Sequence, residues 1–199
     1  MVIKTTLKAS SQAVCRCLQP LSNIANMTEP TPHTLDDDTL AFAEKVFDAA
    51  RTGDAASLAL WLDNGLPPNM SNSKGDSLLM LASYHGNAEA ARLLLQRGAD
   101  AQLPNLRGQT PLAGAAFKGD ADMTALLLTH GAAVDGPSPD GRTPLMFAAL
   151  FNRVDIIEVL LEHGAKMDAQ DQQGNTALGC AKAMNAHDAA ALLEKKLAQ

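Results

Sequence analysis

Aromatic residues are scarce in this sequence: one Trp, one Tyr and five Phe make up 4% of 199 residues. So few large rings, with alanine and leucine dominant, argue against a β-sandwich and for small-residue packing between helices. Cysteine is rarer still, and Cys15, Cys17 and Cys180 do not build a disulfide framework. Cys15 and Cys17 stand closer than the CxxC of redox or zinc motifs and read as incidental thiols. A metal or redox role built on them and His33 is the remote alternative. Cys180 falls where a small buried residue is wanted.

Long apolar runs are missing as well. No stretch approaches ~20 unbroken apolar residues, so no transmembrane helix is expected. Acidic residues are absent from the first 26 positions, which carry Lys4, Lys8 and Arg16. Of 16 basic and 22 acidic side chains in the whole chain, these three bases fall there, leaving a balance of −9 for the rest. A body that acidic repels phosphate backbones, which speaks against nucleic acid as the ligand.

Residues 1–35 lack apolar periodicity and are rich in Ser, Thr, Asn and Pro. Gln12, Cys15, Arg16, Gln19 and Pro20 interrupt any signal-peptide core, and the acid-free, hydroxyl-rich start vaguely resembles a transit peptide but holds only one arginine. The segment reads as a disordered leader or as an overlong start with Met27 as the true first residue. Either way it lies outside the fold. A cytoplasmic location is expected, with a mitochondrial or exported form left open by residues 1–26. Asp36, Asp37 and Asp38 precede an apolar run and suit a helix N-terminus better than a metal site.

What is abundant is period. Gly75, Gly108, Gly141 and Gly174 stand at intervals of 33 residues, and so do Gly65, Gly98, Gly131 and Gly164. Two interleaved ladders of one period are the signature of a tandem repeat, whose units bury their apolar faces against one another. Each unit opens with a turn ending in glycine, as in Leu106-Arg107-Gly108. A short helix follows, with threonine as cap and proline in its first turn at Thr110-Pro111 and Thr143-Pro144. The breakers Gly53, Gly86, Gly119, Asn152 and Asn185 come next, then a leucine-faced helix ending at a left-handed glycine.

Thr143-Pro144-Leu145-Met146-Phe147-Ala148-Ala149, with Val159-Leu160-Leu161-Glu162-His163-Gly164-Ala165, resembles the ankyrin repeat. Thr110-Pro111-Leu112 with Leu127-Leu128-Thr129-His130-Gly131-Ala132 resembles it again. The resemblance covers about residues 39–197 within a domain of 36–199. Its five units are 39–71 as N-terminal cap, 72–104, 105–137, 138–170, and 171–197 as C-terminal cap. It implies an all-α solenoid of stacked antiparallel helix pairs, with turns projecting as fingers beside a concave groove. The histidine common after Thr-Pro-Leu in the family is replaced by Met80, Ala113, Met146 and Gly179. Phe42 takes the place of a turn glycine and Ala177 that of a proline, so both end units depart from the pattern.

His130 and His163 invite a catalytic reading, yet they share a register position with Asn64 and Arg97 just before the C-terminal glycine. A polar donor there satisfies helix-end carbonyls, and one repeat is too long a step for sharing a zinc ion. The glycines are not spaced as GxGxxG or GxxxxGK, and no Ser/His/Asp set or metal cluster assembles from local motifs. Neither catalytic residue nor cofactor is expected.

The pair before each breaker is more informative. In the family this location lines the groove, so Tyr84-His85, Phe117-Lys118 and Leu150-Phe151 would form a ladder along it, holding three of the seven aromatics. The alternative is that these side chains pack between units as core. Turn residues Lys74, Asp76, Arg107, Gln109, Asp140 and Arg142 would add a charged rim or a merely solvated one. The expected function is a monomeric, non-catalytic module that binds a partner protein through groove and fingers, without nucleic acid or membrane. An accessory subunit stabilising one enzyme is the alternative.

Overall fold

A short helix needs a cap to start it and a residue that stops it, and this chain supplies both once per 33 residues. The computed structural model describes residues 37–198. Cys15, Cys17, Met27, His33, Asp36 and the rest of the leader lie outside the described residues. Ser77, Thr110, Thr143 and Thr176 each accept, on the side-chain hydroxyl, the backbone N–H three residues on, at 3.1–3.4 Å. They open helices α3 (Leu78–Tyr84), α5 (Pro111–Lys118), α7 (Pro144–Leu150) and α9 (Ala177–Ala183). Pro111 and Pro144 sit in the first turn, where a missing N–H costs nothing.

Each inner helix stops where the backbone turns left-handed, at φ between 55° and 82° for Gly86, Gly119, Asn152 and Asn185. Asparagine is the one ordinary substitute for glycine there, because its short polar side chain bonds locally. The outer helices follow: α4 (Ala88–Gln96), α6 (Ala121–Thr129), α8 (Val154–Glu162) and α10 (His187–Leu197). Glu89, Asp122, Asp155 and Asp188, again 33 apart, lie in their first turns and complement the helix dipoles.

The first unit is built differently. Helix α1 (Asp37–Thr52) runs 16 residues and is followed by α2 (Ala55–Asp63). Asp37 and Asp38 occupy its first turn. Phe42 is helical where later units have a finger glycine, and its ring meets Trp61 edge-on at 5.4 Å. The last unit has Lys182, Asn185, His187 and Asp188 exposed.

Inner helices α1, α3, α5, α7 and α9 stack in series, and outer helices α2, α4, α6, α8 and α10 stack behind them. Ala82, Ala115, Ala148 and Ala181 are fully buried and share one register, which lets neighbouring backbones approach. Leu94, Leu127 and Leu160 are likewise buried in one register of the outer row, continuing to Leu193. Burying each such leucine stabilises by about 1.5–3 kcal/mol. Cys180 is buried in this core, and burial, with the Asp171 carboxylate adding to it, raises its thiol pKa above the usual value. A thiol held neutral in this way is packing material. Among the described residues no helix is long and apolar enough to cross a membrane.

Candidate functional site

The fingers are organised from within by one side chain each. The amide oxygen of Asn72 accepts the backbone N–H groups of Lys74 and Asp76, both at 2.9 Å. Asn105 does the same for Arg107 and Gln109 at 3.0 Å, and Asp171 for Gln173 and Asn175 at 3.0 and 2.8 Å. An oxygen two residues before the bend replaces the water that would otherwise solvate those N–H groups. In the third finger the position is Ser138, whose hydroxyl donates to Asp140 and lies 3.0 Å from the Arg142 carbonyl oxygen. The turn expected at Leu106-Arg107-Gly108 starts one residue after its hub, and so do its counterparts in the other units. A polar residue of Asn, Ser or Asp type every 33 positions was the available signal.

Backbone bonds tie the fingers together in pairs. Leu106 N–H donates to Lys74 C=O at 3.1 Å, and Gln172 N–H donates to Asp140 C=O at 3.0 Å. The matching donor between the second and third fingers is Pro139, which has no N–H to give. There the contact is steric instead: a Cβ on Gly108, at φ +71°, would stand 2.2 Å from Pro139 Cγ.

Several expected rim residues are committed to this framework. Asp76 accepts from Asn105 Nδ2 at 2.9 Å and from Asn72 Nδ2 at 3.3 Å, so both of its oxygens are engaged. Gln109 Oε1 accepts a second hydrogen of the Asn105 amide at 3.2 Å. Arg142 Nε lies 3.4 Å from Asp140 and 3.7 Å from Asp171, whose side chain has no exposed surface. Burial pushes the Asp171 carboxyl up. The Asn175 backbone N–H, its amide, the Gln173 N–H and Arg142 outweigh that and hold it below the ordinary carboxylate value. The Asp140 carboxyl is lowered first by the Ser138 hydroxyl. Lys74 and Arg107 make no ion pair among the described residues.

On the inner helices the aromatic stripe stands out from the core. Tyr84, Phe117 and Phe151 expose 41%, 39% and 37% of their surface. The Phe117 and Phe151 rings meet edge-on with centroids 4.7 Å apart, and Lys118 Nζ lies 4.9 Å over the Tyr84 ring. His85 is exposed beside Tyr84, at 5.7 Å between rings. Leu150 differs from its neighbours in the stripe, being half-buried and packed against the core.

Fingers and inner helices enclose a cleft of about 390 Å³. Lys74, Asp76, Asn105, Arg107 and Gln109 form its finger side, and Met80, Tyr84, Ala113, Gly114, Phe117 and Phe147 its helix side. It therefore gathers Lys74, Asp76, Tyr84, Arg107, Gln109 and Phe117 from the expected residues. His85, Lys118, Leu150, Phe151, Asp140 and Arg142 lie outside it. Gly114 opens the space: it shares a register with Leu81, Phe147 and Cys180, so the one unit without a side chain sits between two that have one. Met80, Gly114 and Phe147 were not expected at the site, although Met80 stood in the slot after Thr-Pro-Leu where the family pattern changes.

The suggestive histidines serve helix ends. Nδ1 of His130 lies 2.9 Å from Leu126 C=O, and Nδ1 of His163 lies 2.8 Å from Val159 C=O. The carbonyl can only accept, so Nδ1 is the donor in each contact. Asn64 Nδ2 caps Leu60 C=O in the same way at 2.6 Å. Arg97 does not: its longer side chain reaches the preceding unit and pairs with Asp63 at 2.8 Å. Among the described residues no three His, Cys, Asp or Glu side chains group as metal ligands.

The comparisons with known proteins agree with this geometry. The family model described as ankyrin repeats (3 copies) matches residues 46–137 and again 114–198. A curated ankyrin repeat protein of Pseudomonas aeruginosa is 54% identical over 60 residues, which is 30% of this chain and 35% of that relative. The match thus spans about a third of the relative's length. Ankyrin repeats are generally protein–protein interaction modules. The caps, left-handed breakers, fingers and stacked pairs described above are the structural content of that match, and the chain belongs to the ankyrin repeat family.

Proposed function

We propose that this chain is a non-catalytic module that binds a partner protein in its concave groove, with Tyr84, Phe117 and Phe151 as the central contacts. One observation carries the reading: three of the chain's seven aromatics stand partly exposed in a single stripe beside a cleft. Aromatic side chains flanked by polar and basic groups are the composition of a binding hot spot. The stacked helices hold that stripe fixed before any partner arrives, so little ordering entropy is lost on binding. Lys74, Arg107, His85 and Lys118 border the stripe and tune encounter and selectivity. Asp76, Gln109, Asp140 and Arg142 act indirectly, by keeping the fingers in shape.

The experiment is capture from the native cells with the full chain and with the Tyr84→Ala, Phe117→Ala, Phe151→Ala triple variant, read by mass spectrometry. The reading expects a protein held by the first and lost from a folded second. Equal recovery by both would sink it.

A further inference from the structure

The cleft is positively charged on a negatively charged body. Residues 27–199 hold nine more acidic than basic side chains, yet the lining of this cleft carries the cations Lys74 and Arg107, with Lys118 just outside it over the Tyr84 ring. None of the three makes an ion pair among the described residues. The one carboxylate in the lining, Asp76, keeps its charge with each oxygen turned to a neutral asparagine amide, so the cations Lys74 and Arg107 still outnumber it. Unpaired cations around an apolar floor attract an anion that also carries apolar surface.

The apolar part is equally placed. Gly114 leaves the floor open between Met80, Tyr84 and Phe117. Leu106, at the tip of the second finger, is 79% exposed beside Arg107. A volume near 390 Å³ lies at the small end of the range for ligand pockets, about 300–1,000 Å³. It takes a large side chain, not a folded element. The aromatic contact runs on past the cleft from Phe117 to Phe151, which suits a ligand with further residues on one side.

We infer that the cleft between the first two fingers and helices α3 and α5 binds an acidic segment of a partner protein, seating an aromatic or leucine side chain over Gly114 and its carboxylates against Lys74 and Arg107. This rests on the groove being the binding face and goes further in naming what it reads. The chain's own residues 1–26, which carry three bases and no acid, have the wrong sign to be that segment.

The test is selection of random 12-residue peptides displayed on phage against the immobilised full chain. The selected peptides are then titrated by fluorescence anisotropy against the chain and two variants whose folding is checked by circular dichroism. Lys74→Glu with Arg107→Glu reverses the charge, and the triple alanine variant removes the aromatics. The inference expects peptides enriched in Asp or Glu next to Phe, Tyr, Trp or Leu. Their affinity should fall about tenfold or more in the charge-reversed variant and weaken as salt is raised. Peptides that are neutral or basic yet lost in the triple variant would overturn the acidic specificity and leave the groove standing. Peptides that bind the triple variant as well as the unaltered chain would overturn both.

Discussion

The rings of Phe117 and Phe151 meet edge-on across two consecutive repeats, with centroids 4.7 Å apart and planes at 77°. Both are more than a third exposed, so the pair joins neighbouring units on the surface and not through the core. A double-mutant cycle with Phe117→Ala and Phe151→Ala, followed by urea unfolding, should return a coupling of about 0.5–1.5 kcal/mol. Losses of 3 kcal/mol or more for either single change, about what core Phe→Ala costs, would show that these rings are core.

Gly114 lies in the middle of α5, where glycine costs roughly 0.5–1 kcal/mol relative to alanine. A Cβ there would find Met80 Sδ and Tyr84 Cδ2 at 3.9 Å, an ordinary contact. Gly114→Ala should therefore raise the free energy of unfolding by about that amount. Gly114→Leu should keep the fold and fill the cleft, weakening any ligand seated there. A destabilised Gly114→Ala variant would contradict the openness of this position.

Asn152 has three tasks, one of them the bond its Nδ2 donates to Asp188 Oδ2 at 2.9 Å. It turns the chain at φ 55°, and its Oδ1 accepts the Ala189 N–H in the first turn of α10 at 2.9 Å, one unit away. Ala186, the cap position of α10 itself, has no side chain able to do this. Asn152→Gly should lose the cap and the exposed bond to Asp188 without backbone strain, about 1 kcal/mol. Asn152→Ala should lose the same two bonds and add left-handed strain, about 2 kcal/mol in all. The order of the two variants in thermal denaturation checks the account.

Asp171 sets the acid limit of the last finger. Its carboxyl is lowered in the folded chain. It therefore contributes stability that is fully present above the unfolded carboxylate pKa of about 3.9 and lost as pH falls through the lower folded value. Asp171→Asn keeps an oxygen for the Gln173 and Asn175 N–H groups, as Asn72 and Asn105 do in their own fingers, and gives up the Arg142 pair. The variant should be less stable at neutral pH and should lose less on acidification below about pH 4. An unchanged acid dependence would contradict the role given to this group.

The repeat was legible in the sequence because backbone geometry restricts residue choice. A left-handed position accepts glycine or asparagine and little else, so Gly86, Gly119, Asn152 and Asn185 marked the ends of four inner helices in advance. The caps at Thr110 and Thr143 were readable for the same reason. Exposure was not. Leu150 and Phe151 are adjacent in the stripe, yet one packs on the core and the other reaches solvent, since successive residues at a helix end point in different directions. Nor could the register say that Arg97 would reach Asp63 of the preceding unit, because the partner lies 34 residues away. The cleft escaped notice since it arises from a side chain that is missing at Gly114.

The most direct test of the whole account is hydrogen–deuterium exchange of the chain alone and with a captured partner bound. Slowed exchange is expected in the first two fingers, in α3 and α5, and at the Leu150–Phe151 end of α7, with the outer helices α4, α6 and α8 unchanged. Protection confined to the outer helices would contradict the assignment of the concave face as the binding surface.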